Sequence, residues 1–233
     1  LADKDVYSIP LVLLIGWRGQ PGIHDEPQHL SQGRLTLPLL ETMEIPFEVL
    51  GEDIKEVEGQ IQRCYAHLKK NQSPFALVVK KDSFAPYTLK TKTVDQAPLM
   101  REQALEVVLG QLGKDDIVVS TTGMASREVY ELREKMGQGH EKDFLTVGSM
   151  GHALQIALGI ALEQRERRVI CLDGDGAAIM HMGGMSTVGS LKPKNLVHIV
   201  FNNGAHDSVG GQPTVGLNID FGSIARASGY EKT

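Results

Sequence analysis

Two apolar runs, each ending in a polar turn, constrain this chain more than anything else in it: Ile170-Cys171-Leu172-Asp173-Gly174-Asp175-Gly176-Ala177-Ala178 and Val200-Phe201-Asn202-Asn203-Gly204. A strand that is apolar at successive positions is buried on both faces, as strands of parallel sheets are. Between Gly176 and Asn202 lie 25 residues. That is room for one helix and one strand, and so for a right-handed crossover to a neighbouring parallel strand. Such a crossover sets the two strand ends side by side, one offering a carboxylate and the other an amide. The flanking glycines allow a sharp turn and let a phosphate lie against backbone N–H groups. A diphosphate cannot sit beside a carboxylate alone, and a divalent cation between them resolves the repulsion. Magnesium prefers an octahedron of oxygens. Asp175, the Asn203 side-chain carbonyl and the Ala205 backbone carbonyl would supply three of them.

The rest of the chain alternates strand and helix, which predicts an α/β fold of parallel sheets with helices on both faces. Leu11 to Ile15 reads as a buried strand that opens into a dense polar loop, His24 to Arg34. A polar loop after the carboxyl end of a strand is either a ligand site or a solvated surface. A short helix is expected over Leu35 to Glu44 and a strand over Pro46 to Leu50. An amphipathic helix over Asp53 to Lys70 has Ile54, Val57, Ile61, Tyr65 and Leu68 at three- and four-residue steps. Phe75 to Val79 is another buried strand. Lys81 to Ala97 lacks a hydrophobic period and reads as a linker.

Beyond the linker, Pro98 is expected to begin a helix, and Asp116 to Ser120 a strand that opens into Thr121-Thr122-Gly123. A strand, a hydroxyl-rich turn and a helix start make a phosphate cradle, or simply a capped helix. A strand at Phe144 to Val147 leads through Gly148-Ser149-Met150-Gly151 into an apolar helix from Ala153. One helix is expected from Ala177 to Leu191.

Composition narrows the function classes. With 24 basic and 29 acidic residues the net charge is −5, which argues against nucleic acid as the main partner. No apolar run approaches the roughly 20 residues that span a bilayer. The two cysteines, Cys64 and Cys171, fall in apolar segments, so a reducing cytoplasm is expected rather than a disulfide scaffold.

Gly174-Asp175-Gly176, followed after 25 residues by Asn202-Asn203, resembles the signature of thiamine diphosphate enzymes. The resemblance makes Asp175, Asn203 and the Ala205 carbonyl the magnesium ligands. Gly174, Gly176 and Ala177 would lie beside the diphosphate. Val147 to Gly151 resembles the segment that holds the aminopyrimidine, with Met150 as its apolar prop, the Gly148 carbonyl as acceptor and Ser149 beside it. Thr122 and Gly123 resemble the diphosphate-side loop. Ile15 to Gly22, Asp25 to Arg34 and Phe201 to Thr214 are similar to the phosphonopyruvate decarboxylase branch. Sulfopyruvate decarboxylases carry weaker versions of these segments.

The resemblance implies the C-terminal part of a pyrimidine-binding domain over 1–80, a linker over 81–97 and a pyrophosphate-binding domain over 98–233. It also implies a carboxy-lyase that converts 3-phosphonopyruvate to phosphonoacetaldehyde in 2-aminoethylphosphonate biosynthesis. The enzyme would be a homo-oligomer with its active site at a subunit interface. His206, Asp207, His29 and Arg34 are the substrate candidates, with Arg18, Ser208 and Gln212 behind them. The family's activating glutamate has no match in this chain and is expected upstream of Leu1. Alternatives are a sulfopyruvate or other 2-oxo acid decarboxylase, a catalytically incomplete cofactor-binding fragment, and a nucleotide-binding α/β module.

Overall fold

The computed structural model describes residues 3, 6–87 and 99–233. They form two compact units, Leu1–Lys90 and Thr91–Thr233. The boundary falls inside the 81–97 segment, of which 88–97 lie outside the described residues.

The first unit contains β1 (Val12–Gly16), α1 (Leu30–Thr42), β2 (Phe47–Val49), α2 (Ile54–Asn71) and β3 (Phe75–Val79). Its sheet is parallel, in the order β1-β3-β2. The central strand, β3, is buried at every position. At the edge, β1 departs from the expected buried strand: its burial alternates, and Leu14 is 63% exposed. Asp53 caps α2, its carboxylate accepting from the N–H groups of Lys55 at 2.8 Å and Glu56 at 3.4 Å. Val57, Cys64 and Leu68 pack this helix on β3, whereas Ile54, Ile61 and Tyr65 of the expected apolar face are exposed.

Helix α1 begins five residues before the expected start and takes in Gln32-Gly33-Arg34 from the predicted loop. The reason is non-local. Gly33 packs against the Gly19 carbonyl so closely that a Cβ there would fall 1.7 Å from its oxygen. The Trp17 indole N–H donates to Gly33 O at 2.8 Å.

The second unit contains α3 (Arg101–Gly110), β4 (Ile117–Ser120), α4 (Met124–Lys135), β5 (Asp143–Leu145), α5 (Ala153–Glu163) and β6 (Val169–Gly174). They are followed by α6 (Asp175–Met180), α7 (Gly184–Leu191), β7 (Leu196–Phe201), β8 (Ala205–His206), β9 (Gln212–Pro213) and α8 (Phe221–Ala227). Strands β5-β4-β6-β7 form a parallel sheet in that order. Apolar side chains fill both of its faces: Leu105, Leu109, Val129 and Leu132 on one side, Leu154, Ala157, Leu158 and Met185 on the other. The chain leaves β4 toward β5 and returns across to β6, so the crevice between the carboxyl ends of β4 and β6 is a topological switch point, where open α/β sheets bind ligands. The single helix expected over Ala177–Leu191 is two helices, broken at His181-Met182-Gly183. The Pro98 start lies outside the described residues, and α3 begins at Arg101.

Candidate functional site

Strands β6 and β7 pair up to Gly174 and Phe201, so Asp175 and the Asn202-Asn203 pair leave adjacent strand ends. A cavity of about 250 Å³ opens there. Thr122, Met150, Gly174, Asp175, Gly176, Ala177, Asn203 and Ala205 line it, as do His206 and Asp207. Gly123, Gly148 and Ser149 do not.

Asp175 is the first residue of α6 and is 2% exposed. Its Oδ2 accepts from the Thr214 hydroxyl. Gly216 closes on the same carboxylate: a Cβ there would lie 2.4 Å from Asp175 Oδ2 and 2.7 Å from Asn202 Oδ1. Asn202 holds this loop in place, donating to Gly216 O at 2.8 Å and accepting from Gly204 N at 3.2 Å. The amide of Asn203 faces elsewhere. Its Oδ1 accepts from Ala205 N at 3.0 Å, and its Nδ2 donates to Asp207 Oδ2 at 2.7 Å. An amide oxygen has two lone pairs, so one remains for a cation.

Asp207 is also paired with Arg101 Nη1 at 2.9 Å, and Arg101 forks onto Glu128 at 2.8 and 2.9 Å. Arg101, Glu128 and Gly216 escaped the sequence reading. Their partners stand as many as 106 positions away, and no local pattern marks them.

The loop before α5 is shaped for close approach. Gly148, Ser149 and Gly151 all have positive φ, at 73°, 48° and 88°. In serine this left-handed conformation costs about 1–2 kcal/mol. The Gly148 N–H donates to Thr122 Oγ1 at 2.9 Å, tying this loop to the β4 turn. A Cβ at Gly151 would fall 2.6 Å from His181 Nδ1, so only glycine lets the loop close on α6. His206 packs on Gly176, where a Cβ would meet its ring at 2.3 Å, and Ser208 covers Gly123 in the same way at 2.8 Å. Beneath the turn, Asp173 is buried, accepts from Gly174 N at 3.0 Å and lies 3.5 Å from His198 Nε2.

Two observations test whether these residues fit a cation and a diphosphate. Five carboxylates (Glu102, Glu128, Asp173, Asp175, Asp207) and one guanidinium, Arg101, line the cavity, and Arg101 is already engaged by two of them. The buried Asp175 carboxylate has a neutral hydroxyl as its hydrogen-bond partner. A divalent cation offsets that surplus. Thr121 also lines the cavity, and among the described residues its buried hydroxyl has no hydrogen-bond partner, leaving a donor for a phosphate oxygen. The residues fit.

His29 and Arg34 belong to the first unit. His29 Nδ1 lies 3.0 Å from Asp25 Oδ1 and 2.9 Å from Arg18 Nη2, and Arg34 donates to Ser31 Oγ at 3.2 Å. Arg18 forks onto Asp25 at 2.9 and 2.7 Å. That guanidinium, with His29 and the Gly19 N–H, holds the Asp25 carboxyl well below the usual carboxylate range. Arg18 and Asp25 line a second cavity, of about 410 Å³, at the carboxyl ends of β1 and β3. Gln212 is exposed in β9.

Residues 121–232 match the model of the thiamine pyrophosphate enzyme C-terminal TPP-binding domain. The chain is 36% identical, over 95% of its length, to the phosphonopyruvate decarboxylase of Streptomyces viridochromogenes, of which it covers 58%. The same identity and coverage hold for the Streptomyces hygroscopicus enzyme. It is 39% identical to the sulfopyruvate decarboxylase subunit beta of Methanothermobacter thermautotrophicus over 57% of this chain and 68% of that subunit. The chain thus spans 58% of the length of the phosphonopyruvate decarboxylases that it matches. With its strand-end Asp175 and Asn203, it belongs to the thiamine pyrophosphate enzymes, in the branch of the phosphonopyruvate and sulfopyruvate decarboxylases.

Proposed function

We propose that the protein catalyses the thiamine diphosphate- and magnesium-dependent decarboxylation of 3-phosphonopyruvate to phosphonoacetaldehyde and carbon dioxide, a step of phosphonate biosynthesis. The observation that carries this reading is the Asp175–Asn203 pair at adjacent strand ends in an acidic cavity. Identity along 95% of the chain to phosphonopyruvate decarboxylases supports that substrate, against 57% for the sulfopyruvate subunit.

Bound thiamine diphosphate supplies the electron sink for loss of carbon dioxide from a 2-oxo acid. The chain's own residues hold and orient it. Asp175, Asn203 Oδ1 and the Ala205 carbonyl hold the magnesium ion. Thr121, Thr122 and the Gly174-Asp175-Gly176-Ala177 backbone take the diphosphate, with Gly123 bending the turn. Gly148, Ser149 and Met150 hold the organic end, Met150 giving it an apolar wall. His206, packed on Gly176 in the cavity, is assigned to the substrate. We place the protein in the cytoplasm as a homo-oligomer with its active site at a subunit interface. Free, buried Cys64 and Cys171 support a reducing setting.

The second reading is sulfopyruvate decarboxylation, favoured by 39% identity over 57% of this chain. Both substrates are offered to the protein with thiamine diphosphate and Mg²⁺, and products are followed by NMR. Phosphonoacetaldehyde is expected; sulfopyruvate turnover with no phosphonoacetaldehyde overturns the first reading in favour of the second.

A further inference from the structure

We propose that Arg101 is a positioning residue for the cation: through Asp207 it fixes which end of the Asn203 amide points at the metal. This inference rests on the reading of the cavity as a magnesium–diphosphate site. An amide has two chemically opposite ends, and only the oxygen can coordinate a cation. Asn203 Nδ2 lies 2.7 Å from Asp207 Oδ2. An ionised carboxylate can only accept, so the NH₂ end must face it and Oδ1 is turned away. The Ala205 N–H, 3.0 Å from Oδ1, enforces the same orientation.

Asp207 is itself on an exposed 3-10 turn, with its side chain 45% exposed. Arg101 restrains it. Nη1 pairs with Asp207 at 2.9 Å, while Nε and Nη2 fork onto Glu128 at 2.8 and 2.9 Å. Three donors of one rigid fork thus connect the start of α3, the middle of α4 and the turn that follows Asn203. Glu128 is on a regular helix and its side chain is 13% exposed, so the fixed end of the chain is α4 and the steered end is the ligand. Lysine cannot reproduce this bridge, because a single ammonium lacks the planar fork. Outer partners of metal ligands are commonly worth about 10- to 100-fold in metal affinity.

The test uses Mn²⁺ as probe, titrated into the chain with saturating thiamine diphosphate and read by electron paramagnetic resonance of the free ion. Arg101→Gln is expected to weaken Mn²⁺ binding at least about 10-fold, with Arg101→Lys falling between it and the wild type. Leu109→Ala loosens the same helix from its buried side, away from the cavity, and is expected to lower the thermal midpoint while leaving Mn²⁺ affinity unchanged. Wild-type affinity in Arg101→Gln overturns the inference alone, as does an equal loss in Leu109→Ala. No cofactor-dependent Mn²⁺ binding by the wild type overturns the reading of the cavity and this inference with it.

Discussion

Two cavities among the described residues are built by the same rules and carry opposite charge. Each opens at the carboxyl ends of parallel strands, one beside β6 and β7 and the other beside β1 and β3. The first is lined by five carboxylates and a single guanidinium, already paired. The second is lined by Arg18, Lys80 and Lys81 against Asp25 and Glu26, with His24 beside them. Topology therefore chooses where a cavity forms, and the turn residues choose what it can hold. An acidic cavity takes an anionic ligand only behind a cation; a basic one needs no such mediator. The frameworks differ too: β4 is buried at all four positions and β6 at five of its six, whereas β1 is an edge with one open face.

The largest expected effect tests that difference in framework. Leu172 lies within β6 at 0% exposure, and Leu172→Ala should cost about 2–5 kcal/mol by urea denaturation. Leu14→Ala in the exposed face of β1 should change stability by no more than about 0.5 kcal/mol. Equal costs would break the comparison.

Next is Gly216→Ala, whose methyl would collide with the Asp175 and Asn202 side chains. Overpacking of this kind costs about 1–3 kcal/mol, and displacing Asp175 should weaken cation binding in the same variant.

A third, smaller effect belongs to the basic cavity and depends on pH. The folded-state pKa of Asp25 is depressed by Arg18. Its contribution is complete above the unfolded value of about 3.9 and is lost as pH falls toward the folded value. Urea midpoints of wild type and Asp25→Asn should therefore differ by a constant amount near neutrality and converge in strong acid. A gap that widens with acid would contradict the ion pair.

The smallest signal is chemical. Each unit holds one buried cysteine, Cys64 or Cys171, and burial pushes both thiols up. Neither should react with a thiol reagent in the native protein, and each should become reactive only as its own unit unfolds. Mass spectrometry of the labelled peptides reads this directly.

Strand-rich segments and strand ends were legible in the sequence because burial and turn chemistry are written locally. The Asp175–Asn203 spacing needed only a crossover argument, and β6–β7 pairing bears it out. What was not legible is non-local. Arg101 reads as an ordinary first-turn residue, and its partners Glu128 and Asp207 lie 27 and 106 positions away. Gly216 looks like any loop glycine until Asp175 is folded against it. The first turn of helix α1 falls in a stretch whose polarity reads as loop and contains Gly33, a poor helix former; contact with Gly19 and Trp17 overrides it. The break between α6 and α7 at His181-Met182-Gly183 falls in a glycine-spotted, methionine-rich stretch whose weakened helix propensity still reads as one helix packed on the sheet.

The central claim is that the acidic cavity holds a diphosphate through a cation seated on Asp175 and Asn203. Calorimetric titration of the chain with thiamine diphosphate, with and without Mg²⁺, for wild type and Asp175→Asn, tests it most directly. The account predicts binding by the wild type only when Mg²⁺ is present, and loss of that binding by more than about 100-fold in Asp175→Asn. Binding that is independent of Mg²⁺, or untouched by Asp175→Asn, would contradict it.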